Sequence, residues 1–264
     1  MKRWRFITNM AIDTTRNLLR GQAPRDVREQ TFRELALRYG DENFDQKLSR
    51  FLSISPPFVQ PLWQYHEYQR EIADAFTNGY FYPALTGACC LAEAILSTLV
   101  VRLRPYFRNT PVYKMIYNKD SFQNWDLALE ALQEWDVFDS SLNGSFKRLE
   151  ALRNHAVHLG GKAISAQNSL DGVRLVFDLI DRLFGPRDDI VFWAPGEMYV
   201  RLGKESDPFV EEFYVPSCHY VGYKHSIEGP FPNWRVVDPH KYEDRVISDE
   251  EFRALRVAFR KEQP

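Results

Sequence analysis

Residues 83–104, PALTGACCLAEAILSTLVVRLR, restrict this chain more than any other stretch. Leu85, Cys89, Ala92, Leu96, Leu99 and Leu103 recur at spacings of four, three, four, three and four. That is the period of one face of an α-helix, so the run predicts a long helix with a continuous apolar stripe. Pro83 suits a first helical turn, and Pro105 follows the end. Thr86, Glu93, Ser97 and Thr98 interrupt the apolar run, so a buried helix is expected rather than a membrane span.

A helix of this kind needs partners, and its neighbours supply them. Residues 62–77 read as a helix ending at Asn78-Gly79, a stop pair. Trp125, Leu129, Leu132 and Trp135 recur within 121–138 and predict another. Ser140-Ser141-Leu142-Asn143-Gly144 reads as a loop, followed by helices over 145–159 and 166–184. The expected unit is an antiparallel helical bundle over residues 61–186.

Flanking regions differ in texture. SPPFVQP at 55–61 holds three prolines and marks a boundary. Before it, residues 1–60 read as a basic helical arm. Between Met1 and Arg38 there are nine Lys/Arg against four Asp/Glu. After Pro186, the runs IVFW, EMYVRL, EEFYV, HYVGY and WRVV are aromatic and β-branched, as in a small antiparallel sheet. Ser248 and Glu251 form a capping box for a last helix. Residues 187–264 carry eleven Lys/Arg against fifteen Asp/Glu and are mildly acidic. The expected fold class is α+β, mainly α, in three regions: 1–60, 61–186 and 187–264.

Composition excludes several classes. At 44% hydrophobic, the chain can build a core. A net charge of −2 gives no whole-protein bias toward nucleic acid or membrane. The three cysteines, Cys89, Cys90 and Cys218, form no CxxC pair, so neither a disulfide framework nor a structural zinc is expected. The start, MKRWRFITNMAIDTT, lacks a continuous apolar segment and a cleavage site, so a cytoplasmic protein is expected.

The chemistry concentrates in LEALRNHAVHLGG, residues 149–161. With Leu149 at zero and about 100° per residue, Leu152, Ala156 and Leu159 centre an apolar face near about 310°. Asn154 and His158 fall at about 140° and about 180°, opposite that face, and form an i,i+4 pair. His155 and Arg153 lie on the two flanks. Arg153 and His158 are about 140° apart, so one straight helix does not bring them together. A break at Gly160-Gly161, or a second copy of the chain, would complete such a site.

Arg153-Asn154-x-x-x-His158 resembles the R-x4–6-H motif of the HEPN superfamily (higher eukaryote and prokaryote nucleotide-binding domain). Tyr80-Phe81-Tyr82-Pro83-Ala84-Leu85, leading to Glu93-Ala94-Ile95-Leu96, is similar to the second helix of many such domains. The resemblance covers about residues 62–185. It implies a metal-independent, dimeric endoribonuclease of the toxin or antiviral-defence type, without a cofactor. In that reading His158 is the general acid/base and Arg153 stabilises the scissile phosphate. Asn154 orients one of them, and His155 supports the site or contacts RNA. An antitoxin or defence-complex partner is implied as well. The superfamily also holds non-catalytic interaction modules and nucleotide-binding regulators, and either is the alternative.

Other readings are plainer. Glu93 either pairs with Arg153 or another cation, or sits at a rim with its carboxylate in water. His155 and His158 lack the third ligand of a helical zinc motif. His219, His225 and His240 follow no recognisable spacing. The basic first region tracks phosphates or is a solvated helix face.

Overall fold

The computed structural model describes residues 2–8, 11–12, 15–20, 23–55, 59–60, 65–120, 122, 125–157, 163–192, 197–201, 203–204, 206–214, 218–221, 225–228, 235–238 and 254. The protein is α+β and mainly α. Its chain divides into two compact units. One gathers Met1–Ile12, Val59–Trp63 and Phe184–Pro264; the other comprises Asp13–Phe58 and Gln64–Leu183.

The second unit is helical. Its elements are α1 (Thr15–Arg20), α2 (Arg25–Tyr39), α3 (Phe44–Ser53), α4 (His66–Thr77), α5 (Phe81–Leu103), α6 (Tyr113–Ile116), α7 (Trp125–Glu134), α8 (Ser140–Val157) and α9 (Ala166–Phe184). The long apolar run is α5, and it is the axis of the unit. Leu85, Ala92, Ile95, Leu96, Leu99 and Leu103 are fully buried, and α4, α7 and α8 pack against this helix. By length and composition alone Phe81–Tyr106 could cross a membrane, yet more than half of its apolar window is buried within the protein.

The turn from α4 into α5 follows from Gly79, whose φ of 86° lies in the left-handed region. The Gly79 amide donates to the Phe76 carbonyl and the Tyr80 amide to that of Ala75. This Schellman pattern satisfies the last carbonyls of α4 and reverses the chain. A second apolar cluster joins α2 and α3 through Leu35, Tyr39 and Phe51. The buried Arg16 guanidinium lies 3.9 Å over the Phe51 ring and donates to the Phe51 carbonyl at 3.0 Å.

Two helix boundaries differ from the sequence reading. Residues 140–144 are not a loop: α8 begins at Ser140. The reason is Asp139, whose carboxylate accepts the Leu142 amide at 2.6 Å. An aspartate at this position caps a helix by taking an otherwise unpaired first-turn amide. The helix expected over 121–138 corresponds to α7, Trp125–Glu134, which ends before Trp135. By contrast, α9 has the expected bounds, with Ser165 Oγ accepting the Asn168 amide at 3.1 Å as its cap.

The first unit is built on an antiparallel sheet. Its strands are β1 (Lys2–Thr8), β4 (Ile190–Phe192), β5 (Glu197–Arg201), β6 (Cys218–Val221), β7 (His225–Glu228) and β8 (Arg235–Asp238), in the order β4-β5-β1-β7-β8, with β6 also pairing with β1. Strand β1 pairs with β5 from Arg3↔Arg201 to Ile7↔Glu197. Two short strands, β2 (Ala11–Ile12) and β3 (Val59–Gln60), pair separately. The sheet expected after Pro186 is present. Its centre, however, comes from the first residues of the chain, which the sequence reading assigned to a helical arm. Helix formation in that arm begins at Thr15. The first four residues of EEFYV are not a strand: Val210–Tyr214 form a π-helical turn. Ser248 and Glu251 lie outside the described residues.

Candidate functional site

The polar stripe of α5 organises the site. Thr86, Cys90, Glu93 and Ser97 recur at four, three and four residues, beside the apolar stripe that drives the helix into the core. These four residues, with Cys89, Ala94, Arg153 and Ala156, line a cavity of about 390 Å³ between α5 and α8.

Arg153 reaches this cavity from α8. Its Nη2 lies 3.1 Å from Glu93 Oε2, with both side chains about one-third exposed. The same carboxylate oxygen accepts the Trp125 indole N–H at 3.3 Å. Trp125 is fully buried, and the Arg153 guanidinium sits 6.0 Å from its ring centre. Glu93 therefore joins three helices, α5, α7 and α8. A half-buried ion pair with an added hydrogen bond is held more firmly than a surface pair, because water screens it less. The Arg153 guanidinium is consequently oriented, and its fork of donors can engage an anion in the cavity.

The helical wheel of α8 is corrected by the structure. Among the described residues of α8, Leu142, Phe146, Leu149 and Ala156 are buried, and Leu152 is only partly buried. With Leu142 and Phe146 included, the buried stripe centres near about 15°, not about 310°. Arg153 at about 40° therefore lies within that stripe rather than on a flank. The series 142, 146, 149, 153, 156 keeps the four-three period, with an arginine taking a core position. The sequence reading hid this by counting the face from Leu149 onward, which left out Phe146 within the expected helix and Leu142 in the expected loop.

Asn154 and His155 are exposed, next to Arg153 in the chain but turned from the α5 seam. His158, Gly160 and Gly161 lie outside the described residues. The geometry therefore unites Arg153 and Glu93, and leaves Asn154 and His155 on the solvent side of α8. Trp125, Cys90, Thr86 and Ser97 were not singled out from sequence. The 86–90–93–97 spacing was the available signal for three of them. Trp125 carried none, since its recurrence matches an ordinary core residue.

Cys89 has the burial of a core residue, at 2% exposed. Burial pushes its thiol up to about 12, Cys90 and Glu93 add to the rise, and Arg153 opposes it. The thiol stays protonated at neutral pH and is a poor nucleophile. Cys90, one residue on, is exposed. Among the described residues, no group of three or more His, Cys, Asp and Glu is placed to hold a metal.

No family model, curated protein or solved structure matches the chain.

Proposed function

We propose that the protein is a metal-independent endoribonuclease of the toxin or antiviral-defence type, working in the cytoplasm as a homodimer. The observation that carries this reading is the Arg153 guanidinium, oriented by Glu93 and Trp125 at the edge of a cavity. A fixed, bidentate cation is what a scissile phosphate needs as negative charge builds in the transition state. In this mechanism the RNA 2′-oxygen attacks the adjacent phosphorus and loses its proton to a base. The bond from phosphorus to the 5′-oxygen breaks, and that oxygen takes up a proton. The products are a 2′,3′-cyclic phosphate and a 5′-hydroxyl. His158 is the acid/base group, Asn154 orients it or the phosphate, and His155 contacts the strand.

A second reading has one observation in its favour. Glu93 already compensates the charge of Arg153, as it would in a non-catalytic interaction or nucleotide-binding module whose arginine braces three helices.

Incubation of the purified protein with total RNA in EDTA separates the two. Cleavage is expected, with 2′,3′-cyclic phosphate ends. Arg153→Ala and His158→Ala are each expected to lower the rate by at least about a hundredfold, as loss of one transition-state or acid/base group does. Their helical circular dichroism should remain. Retained cleavage in both variants overturns the mechanism. Absence of cleavage from the wild type, with Arg153→Ala affecting only stability, establishes the second reading.

A further inference from the structure

The connection from α5 to α7 is cationic and aromatic. Between Ala94 and Lys119 there is no Asp or Glu, while Arg102, Arg104, Arg108, Lys114 and Lys119 fall in the last eighteen positions. Tyr106, Met115 and Tyr117 are exposed by 42%, 54% and 55%, beside these cations. Exposed tyrosine rings interleaved with Lys and Arg present flat stacking faces beside positive charge.

This connection is built rather than loose. Phe107 stacks on Trp135, with ring centres 4.8 Å apart, and the Trp135 indole N–H donates to Thr110 at 3.0 Å. Arg104 donates to the carbonyls of Ile116 and Lys119, closing the segment on itself. It also lies 3.7 Å from Asp120, at the rim. Val112 and Ile116 are buried. Arg104 is thus a brace. Arg108, Lys114 and Lys119 are exposed, and among the described residues none has a carboxylate partner.

The chain just past this segment meets the cavity lining. Phe122, three residues beyond Lys119, donates its amide to Ser97 Oγ at 3.3 Å, and Ser97 lines the cavity that holds Arg153.

We propose that residues 102–119 form a binding surface for single-stranded RNA, leading the strand into the Arg153 cavity. The inference rests on the ribonuclease reading and names how that site gathers its substrate. Arg108, Lys114 and Lys119 meet phosphates, and Tyr106, Met115 and Tyr117 receive bases. Stacking on such rings tolerates any base, while the cations track the backbone. Single strands fit better than a lipid surface. The exposed rings are tyrosines, with hydroxyls that favour water, and Met115 is the one large exposed hydrophobic side chain beside them that lacks a ring. A membrane-binding segment presents a broader apolar face.

The test uses the full chain carrying Arg153→Ala, so that RNA is bound but not cut. The probe is a fluorescein-labelled mixed-sequence RNA of about 20 nucleotides, longer than a typical single-strand site. Adding R108E, K114E and K119E together is expected to weaken binding by at least about tenfold. It should also reduce the slope of log affinity against log salt by about two, at ~0.7 for each phosphate no longer neutralised. Y117L, which keeps bulk but removes the ring, is expected to weaken binding by about fivefold or more, and serves if the charge variant fails to fold. Unchanged affinity and salt slope in the folded charge variant, or unchanged affinity in Y117L, overturns the proposal. Binding to phosphatidylcholine–phosphatidylserine vesicles in place of RNA, abolished in the same variants, also overturns it and assigns the surface to membrane. Failure of RNA cleavage in the wild type bears on the preceding reading alone. Cleavage by the wild type together with unaltered binding in these variants defeats only this one.

Discussion

The helical unit and the sheet unit are assembled on opposite principles. In the helical unit several elements are marked by their own local pattern. The apolar stripe marks α5, the Asn78-Gly79 stop ends α4, and Ser165 begins α9. Its partners are mostly close in sequence, as with α4 and α5, joined through Gly79. The sheet unit instead brings Lys2–Thr8 to the middle of strands drawn from residues 190–238. A strand's edge is completed by hydrogen bonds to whichever strand reaches it, and sequence distance does not enter. Local pattern therefore specifies the helical unit, and long-range pairing specifies the sheet unit.

The difference predicts unequal responses to perturbation. The largest effect is expected from deleting Lys2–Thr8. Strands β5, β6 and β7 would lose their common neighbour. Their amides should exchange freely with deuterium while those of α5 and α9 remain protected. Equal loss of protection in both units would end the contrast between them.

A middle-sized effect is expected inside the helical unit. Phe146 is fully buried, stacked on Phe138 at 5.2 Å and edge-on to Trp125 at 6.2 Å. Phe146→Ala should cost about 3–5 kcal/mol in urea unfolding, from reduced burial and the cavity left behind. A cost below about 1 kcal/mol would mean that the early turns of α8 do not pack as described.

The smallest effect has the opposite sign. Gly144 lies within α8, and a Cβ there would meet nothing within 4 Å. Gly144→Ala should stabilise the protein by about 0.5–1 kcal/mol, the helical preference of alanine over glycine. No gain in melting temperature would favour the loop that the residue types alone suggest at 140–144.

That segment shows why part of the site was legible and part was not. Glu93 stands out in sequence because a charge inside an apolar period is anomalous wherever the helix packs, and Arg153 stands out through its spacing to His158. Their pairing across α5 and α8 was one of two readings, since periodicity assigns faces and does not say which faces meet. Trp125 joins Glu93 through an indole N–H that no spacing rule reports. The inward position of Arg153 was missed because the apolar face was counted without Phe146, and without Leu142 in Ser-Ser-Leu-Asn-Gly, which has turn composition. Asp139 overrides that composition by capping the helix one turn earlier than the residue types suggest.

The sequence by itself determined the α5 stripe, the start of α9, the helical character of the middle of the chain and the β-rich texture after Pro186. These follow from periods of 3.6 and 2, which each segment carries alone. Only the tertiary structure decided that β1 lies at the centre of the sheet, that Arg153 faces Glu93, and that Phe122, just past the basic connection, meets Ser97 at the cavity. Each of these joins residues far apart in the chain. Such pairings are selected by the packing of whole elements, after local propensity has been satisfied.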